Sequence, residues 1–223
     1  MREVNFTRNF TQNAAGSVLV AFGNTKVICT AMVDEDLPPY RKESGLGWLT
    51  AEYQMLPGST PDRKRRKVDG RSTEISRLIG RSLRACLDFK KLGARTIYID
   101  CDVIQADGGT RTAAISGGFV ALQDAINGLI AKGLLEESPI LANVAAVSVG
   151  YVKSELVVDL DYINDSQADV DMNVIGNDKN ELIEVQGTGE EGTFNREQLD
   201  KMLDSAQEAI QSIIIKQNEV LAN

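Results

Sequence analysis

Thr96-Ile97-Tyr98-Ile99-Asp100-Cys101-Asp102-Val103-Ile104-Gln105-Ala106-Asp107-Gly108-Gly109-Thr110-Arg111-Thr112 changes its period halfway along. From Thr96 to Ile104 the residues alternate, with Ile97, Ile99, Cys101 and Val103 on one side and Tyr98, Asp100 and Asp102 on the other. A period of two predicts a strand with one buried face. Beyond the glycine pair the chain stays apolar to about Lys132, which predicts a long core helix. Gly108 and Gly109 let the backbone turn tightly between the two. A helix that opens there presents unpaired N–H groups and a positive dipole end, which together make an anion site. Thr110 adds a hydroxyl, and Arg111 adds a fork of donors matched to phosphate. The same residues suit a plain left-handed turn with threonine as helix cap, and at this point both readings stand.

Upstream of this stretch, residues 3–10 alternate loosely as a strand. Residues 16–34 form two β-rich runs around Gly23-Asn24, the pattern of a hairpin. Gly47 to Leu56 reads as a further strand, and Pro57 to Gly70 as an exposed polar loop. Ser72-Thr73 offers a helix N-cap, followed by apolar positions at Ile75, Leu78, Ile79, Cys86 and Phe89 and a stop at Gly93. Downstream, 143–152 and 156–163 read as a second hairpin, and 169–175 and 181–186 as two more strands. A last helix begins at Asn195 with Gln198 at the capping-box position, its apolar stripe running from Leu199 through Met202, Ala206, Ile210 and Ile213 to Leu221. Strands and helices in this order, without a linker-like shift in composition, predict one α+β domain over residues 1–223, with sheet and helices in packed layers.

The 223 residues are 43% hydrophobic and 25% charged, a balance that sustains a core without disulfide or metal. No apolar run of about 20 residues suggests a membrane span, and the N-terminus lacks the apolar centre of a signal peptide. Cys29, Cys86 and Cys101 sit in apolar runs, as expected of reduced core thiols in a cytoplasmic protein. There is no histidine, which excludes Ser-His-Asp and Cys-His nucleophilic machinery and histidine-based zinc sites. Chemistry must therefore come from Arg, Lys, Asp, Glu, Ser, Thr or a bound hard cation. The net charge of −8 is unusual for a nucleic-acid binder, so local concentration of positive charge decides that question.

Positive charge concentrates in two places. Arg63-Lys64-Arg65-Arg66-Lys67, in the polar loop, is a run that attracts a phosphate backbone by counterion release. Arg77, Arg81 and Arg84 share a helix face; they suit either a solvated stripe paired with Glu74 and Asp88 or a wall of the anion site. Negative charge gathers in residues 159–171. Asp159 with Asp161, and Asp169 with Asp171, would each share a strand face, and Mg²⁺ takes one or two such carboxylates together with substrate oxygens and water. A solvated acidic strand–turn–strand accounts for most of these residues, but the spacing is not that of an EF-hand. Gly187-Thr188-Gly189-Glu190-Glu191-Gly192 matches a dinucleotide fingerprint in spelling only. Its glutamates would repel a pyrophosphate, so it reads as a glycine-rich loop.

Several segments together resemble the RNase PH family: 47–53, Arg77-Leu78-Ile79-Gly80-Arg81-Ser82-Leu83-Arg84, 100–112, Asp165-Ser166, 171–174 and Glu184-Val185-Gln186-Gly187-Thr188. The resemblance runs from about residue 3 to the C-terminus, and 100–112 is its most specific part. It implies the RNase PH fold and a phosphorolytic 3′-to-5′ exoribonuclease that trims tRNA precursors and other structured RNAs such as rRNA. The implied reaction uses inorganic phosphate as co-substrate and releases nucleoside diphosphates. The resemblance places phosphate on Arg81, Gly109, Thr110 and Arg111, and Mg²⁺ or Mn²⁺, or proton handling, on Asp165 and Asp171. It implies RNA contacts from Arg63, Lys64, Arg65, Arg66, Lys67 and Arg71, and a cytoplasmic hexamer built as a trimer of dimers. The alternative is a catalytically weak RNA-binding ring subunit of an exosome-like assembly. Family members usually carry an Asp-Gly-Arg segment ahead of the present start, a longer loop, and arginine where this sequence has Gly58. Those departures bear on tRNA affinity more than on phosphate binding.

Overall fold

The computed structural model describes residues 1–222. Among the described residues nine strands form two sheets. The first contains β1 (Val4–Arg8), β2 (Gly16–Phe22), β3 (Thr25–Asp34), β4 (Trp48–Met55) and β5 (Thr96–Gln105), in the order β1-β2-β3-β5-β4. Its pairs are antiparallel except β4 with β5, whose parallel register runs from Trp48↔Thr96 to Met55↔Val103. The second contains β6 (Val144–Val152), β7 (Glu155–Val158), β8 (Val170–Asn177) and β9 (Leu182–Gly189), antiparallel throughout in the order β7-β6-β8-β9.

The predicted strand–turn–helix forms as expected. Ile97, Ile99, Cys101 and Val103 are buried, and α3 (Thr110–Ala131) follows the glycine turn. α3 packs on β2, β3 and β5 on one side and on β6 on the other, which is why its apolar residues do not fall in a stripe. By length and composition alone it would pass for a membrane span, but here it is the helix both sheets enclose. Gly117 permits the close approach: a Cβ there would run into Val20 and the Cys29 sulfur. One hydrophobic cluster draws on both sheets, the helix that follows the polar loop, α3 and the C-terminal helix. Burying each Val, Leu, Ile or Phe side chain in it contributes about 1.5–3 kcal/mol. All three cysteines are buried free thiols.

Four boundaries differ from the sequence reading; one is β9, which runs to Gly189 and so takes Gly187-Thr188-Gly189 out of the expected glycine-rich loop. α1 (Gly70–Arg84) is capped by Asp69 rather than Ser72-Thr73. Ser72 instead occupies the third helical position and completes the capping box, with its N–H donating to Asp69 Oδ1 at 2.8 Å. α1 also stops at Arg84, well short of Gly93. Leu87 bridges to Ile140, and Asp88 caps a separate single turn, α2 (Phe89–Leu92), so Cys86 and Phe89 do not extend the stripe. The hairpin strand expected over 156–163 ends at Val158. Asp159 takes a left-handed conformation (φ 64°), and Asp161 caps the single turn α4 (Tyr162–Asp165). Asp159 and Asp161 therefore do not share a strand face. The final helix, α5 (Arg196–Leu221), has Asn195 and Gln198 as its capping box, and Met202, Ala206, Ile210, Ile213 and Ile214 are buried as expected.

Candidate active site

The N-terminal tip of α3 is held from both sheets. Gly108 and Gly109 both have positive φ (72° and 63°), which favours glycine at each. A side chain at Gly108 would also strike the backbone of Leu160 and Asp161. Thr25, on β3, donates its hydroxyl to the Gly108 carbonyl at 2.6 Å and accepts from the Asp107 N–H at 3.0 Å. Arg2 reaches across, with Nη1 donating to the Asp107 carbonyl at 2.5 Å and Nε and Nη2 to the carboxylate of Asp159 at 2.9 and 2.6 Å. The Asp159 side chain is fully buried, so removing either partner would strand a charge. Asp159 is thus a brace for the turn rather than a cation ligand. Gly109, not Thr110, is the N-cap, and no side chain caps the helix.

Tyr53, buried on β4, donates its hydroxyl to Thr110 Oγ1 at 2.8 Å. Burial pushes the Tyr53 hydroxyl's pKa up, against the Thr110 hydrogen bond and the charges of Arg71 and Arg111. Arg111 Nη1 donates to Gln186 Oε1 at 3.1 Å and lies 3.4 Å from Glu74 Oε1. Arg81 forms a two-pronged pair with Glu184, Nε to Oε2 at 3.1 Å and Nη2 to Oε1 at 2.8 Å. Gln186 Nε2 donates to Glu184 Oε1 at 3.0 Å. Arg81 and Arg111 are therefore tied together through two residues of β9. The expected arginine face divides: Arg81 turns to β9, whereas Arg84 lies 4.8 Å above the Trp48 ring and donates to the Leu49 carbonyl. Arg77 and Arg84 line a separate groove along β4.

Asp165, from α4, and Asp171, from β8, lie within each other's field. Burial pushes the Asp171 pKa up to about 6, assisted by Asp165 and Glu190 and opposed by Arg111 and the Met172 N–H. Burial also raises Asp165, while Arg71 and Arg111 pull it down. Asp171 Oδ1 is buried without a hydrogen-bond partner. Such an atom suits a proton or a cation, and Mg²⁺ accepts a two-carboxylate site completed by substrate oxygens and water. No group of three or more potential metal-ligating side chains occurs among the described residues. Asp169 lies just outside β8, and its carbonyl accepts from the N–H groups of Glu190, Glu191 and Gly192. That places the glycine-rich loop beside the carboxylates, with Glu190 opposing their ionisation and no pyrophosphate cradle.

The five basic residues of the loop, Arg63 to Lys67, are all exposed, and among the described residues their side chains form no hydrogen bond or salt bridge. Arg66 acts on Asp102, and Arg71 connects the loop's end to Asp165 and Tyr53. Sequence reasoning assigned no role to Glu184, Gln186, Tyr53 or Arg2. Glu184 and Gln186 do carry a signal: two polar residues at i and i+2 on one strand face.

Residues 1–126 match the 3′ exoribonuclease family, domain 1, and residues 142–209 match domain 2 of the same family. The chain is 57% identical to Ribonuclease PH of Synechococcus sp. (strain JA-3-3Ab), covering 99% of this chain and 94% of that protein. It is 56% identical to Ribonuclease PH of Corynebacterium glutamicum (strain R), covering 99% and 92%. Among solved structures, rice Rrp46 superposes with a TM-score of 0.83 at 17% identity, over 100% of this chain and 96% of that one. The Archaeoglobus fulgidus exosome with RNA bound to the active site gives 0.83 at 20% identity, over 96% and 88%. At such identities the two structures speak for the fold.

Proposed function

Since the chain belongs to the RNase PH family of 3′ exoribonucleases, we propose a division of labour in its cleft: Arg81 with the α3 tip grips orthophosphate, and Asp165 with Asp171 serves the scissile bond. The protein is a phosphorolytic 3′-to-5′ exoribonuclease that acts on tRNA precursors. An orthophosphate oxygen attacks the terminal phosphodiester phosphorus, and the bond to the penultimate 3′ oxygen breaks. A nucleoside diphosphate departs, and the RNA, one nucleotide shorter, keeps a 3′ hydroxyl.

The observation that carries this reading is the position of Arg111. It is linked to Arg81 through Gln186 and Glu184, and its charge acts on both Asp165 and Asp171. Attack by one anion on another is opposed by repulsion, so positioning and charge stabilisation are what the protein must supply. Two guanidinium groups and the open N–H groups of α3 offset the charge of the attacking phosphate. Asp171, with its pKa at about 6, can hold a proton close to the departing 3′ oxygen. Mg²⁺ or Mn²⁺ held by Asp165 and Asp171 would add positive charge against the phosphoryl oxygens.

The exposed run Arg63–Lys67, with Arg71, is assigned to the incoming RNA, structured RNAs such as rRNA included. A hexameric ring of three dimers would gather these loops around an entry path, and the free, buried cysteines accord with a cytoplasmic setting. A catalytically weak ring subunit would not need both arginines and both aspartates in one cleft.

The test is product analysis on a tRNA carrying a short 3′ extension. Nucleoside diphosphates should appear in proportion to added phosphate. Monophosphates alone, or turnover indifferent to phosphate, would refute the mechanism.

A further inference from the structure

Arg81 and Arg111 stand on different helices, yet the contacts that orient them come from one strand. Glu184 and Gln186 project from the same face of β9. Glu184 takes Nε and Nη2 of Arg81, one edge of the guanidinium, which leaves the Nη1 edge for another acceptor. The Gln186 amide is held at both ends: its nitrogen donates to Glu184 at 3.0 Å and its oxygen accepts from Arg111 at 3.1 Å. An amide of this length can do both, whereas a carboxylate lacks the donor and a small side chain lacks the reach. Arg81 is half exposed in this pair, at 48%. An ion pair that open contributes little to stability, so its effect lies in geometry.

We infer that Glu184 and Gln186 are positioning residues for the co-substrate: a carboxylate–amide bridge on β9 that sets the spacing and orientation of the Arg81 and Arg111 guanidinium groups for one orthophosphate. The inference rests on the phosphate site proposed above and extends it to two residues whose contacts are with the guanidinium groups and with each other. Outer residues that orient ligand-binding groups typically account for about 10–100-fold in affinity or activity, and loss of orientation at a preorganised site acts in the same way.

The experiment is steady-state kinetics with phosphate and RNA varied separately, on Glu184→Ala and Gln186→Glu. Both variants should raise KM for phosphate about 10-fold and leave KM for RNA and the melting temperature near those of the unmodified chain. Gln186→Glu preserves shape but adds a charge beside Glu184, so Gln186→Met, uncharged and of similar length, is measured with it to separate the lost donor from the added charge. Because Glu184 acts partly through Arg81 and partly through Gln186, adding Glu184→Ala to Arg81→Ala should cost less than Glu184→Ala costs alone. An unchanged KM for phosphate, equal rises for phosphate and RNA, or additive effects in the double variant would overturn the inference. So would tighter phosphate binding in Glu184→Ala, which would make Glu184 a counter-ion that phosphate displaces. Should Arg81→Ala alone leave the phosphate KM untouched, the phosphate site itself is misplaced, and the bridge falls with it. If Glu184→Ala does not fold, Glu184→Gln, which keeps one acceptor oxygen, gives the same comparison.

Discussion

The two sides of the cleft differ in how their charges are settled. On the α3 side three guanidinium groups have fixed partners: Arg81 has Glu184, Arg111 has Gln186 and Glu74, and Arg2 has Asp159. On the β8 side the charges are at odds. Asp171 has a buried oxygen without a partner, and burial, Asp165 and Glu190 all oppose its ionisation. One side is built to hold its geometry before substrate arrives. The other is built to take up positive charge, as a proton or a cation. The contrast teaches that the settled side should fail by losing orientation, and the unsettled side by losing what neutralises it.

The largest effect should follow from Asp171→Asn, which removes the acceptor charge but not the shape. Divalent-cation-supported turnover should be lost, with RNA binding by filter retention nearly intact. Unchanged turnover would break the comparison, because the carboxylate side would then be dispensable. The same variant should show the unsettled charge in stability. The folded-state pKa of Asp171 is raised to about 6 from an ordinary 3.8, so the folded chain binds this proton more tightly than the unfolded one. The resulting stability is fully present below about pH 4 and is lost as pH rises through about 6. In EDTA at pH 8, Asp171→Asn should therefore melt about 2–4 °C or more above the parent chain. The gap should close by pH 4; an equal melting temperature at pH 8 would show that burial costs the carboxylate nothing.

Next in size are Arg81→Ala and Arg111→Ala, each expected to lower kcat/KM roughly 10²–10³-fold, the range for losing one preorganised charge-stabilising donor. Arg111→Ala should be the more severe, because the Arg111 charge, unlike that of Arg81, acts on both aspartates. Near-native turnover in either variant, measured at saturating RNA, would remove the grip from the mechanism.

The two sides were also unequally legible in the sequence. The α3 tip is continuous in the chain, and its period change, glycine pair and following arginine each have a local physical meaning, so strand, turn and helix were readable before any tertiary neighbour was known. Asp165 and Asp171 were visible as part of an acidic run, but composition could not separate them from Asp159, Asp161 and Asp169. That sorting is tertiary. Asp159 turns inward to Arg2, some 157 positions away; Asp161 caps α4; Asp169 serves through its backbone carbonyl. The arginine stripe misled for a similar reason: helical spacing puts Arg77, Arg81 and Arg84 on one face, but the edge of β4 and the face of β9 divide them. α1 was expected to run to Gly93 because its apolar spacing continues, whereas Asp88 as a cap and the Leu87–Ile140 bridge restart the chain.

The smallest effect belongs to the loop, which resembles neither side of the cleft. Arg63 to Lys67 are exposed and unpaired by hydrogen bond or salt bridge among the described residues, so their contribution is a field rather than a geometry. Part of that field is offset within the chain, because the Arg66 charge acts on Asp102, against that of Glu52. Changing Arg63, Lys64, Arg65 and Lys67 to Gln, while leaving Arg66 to its carboxylate, should raise KM for RNA several-fold and leave KM for phosphate as it was. The salt dependence of RNA binding should flatten by about 0.7 in log–log slope for each single-strand phosphate that the loop no longer neutralises. A field acts on every RNA alike, so the change should be nearly uniform across sequences. If instead the phosphate KM moves with the RNA KM, the loop reaches into the cleft. The line between a grip set by fixed hydrogen bonds and an entry path set by diffuse charge would then have to be redrawn at Arg71, where the two meet.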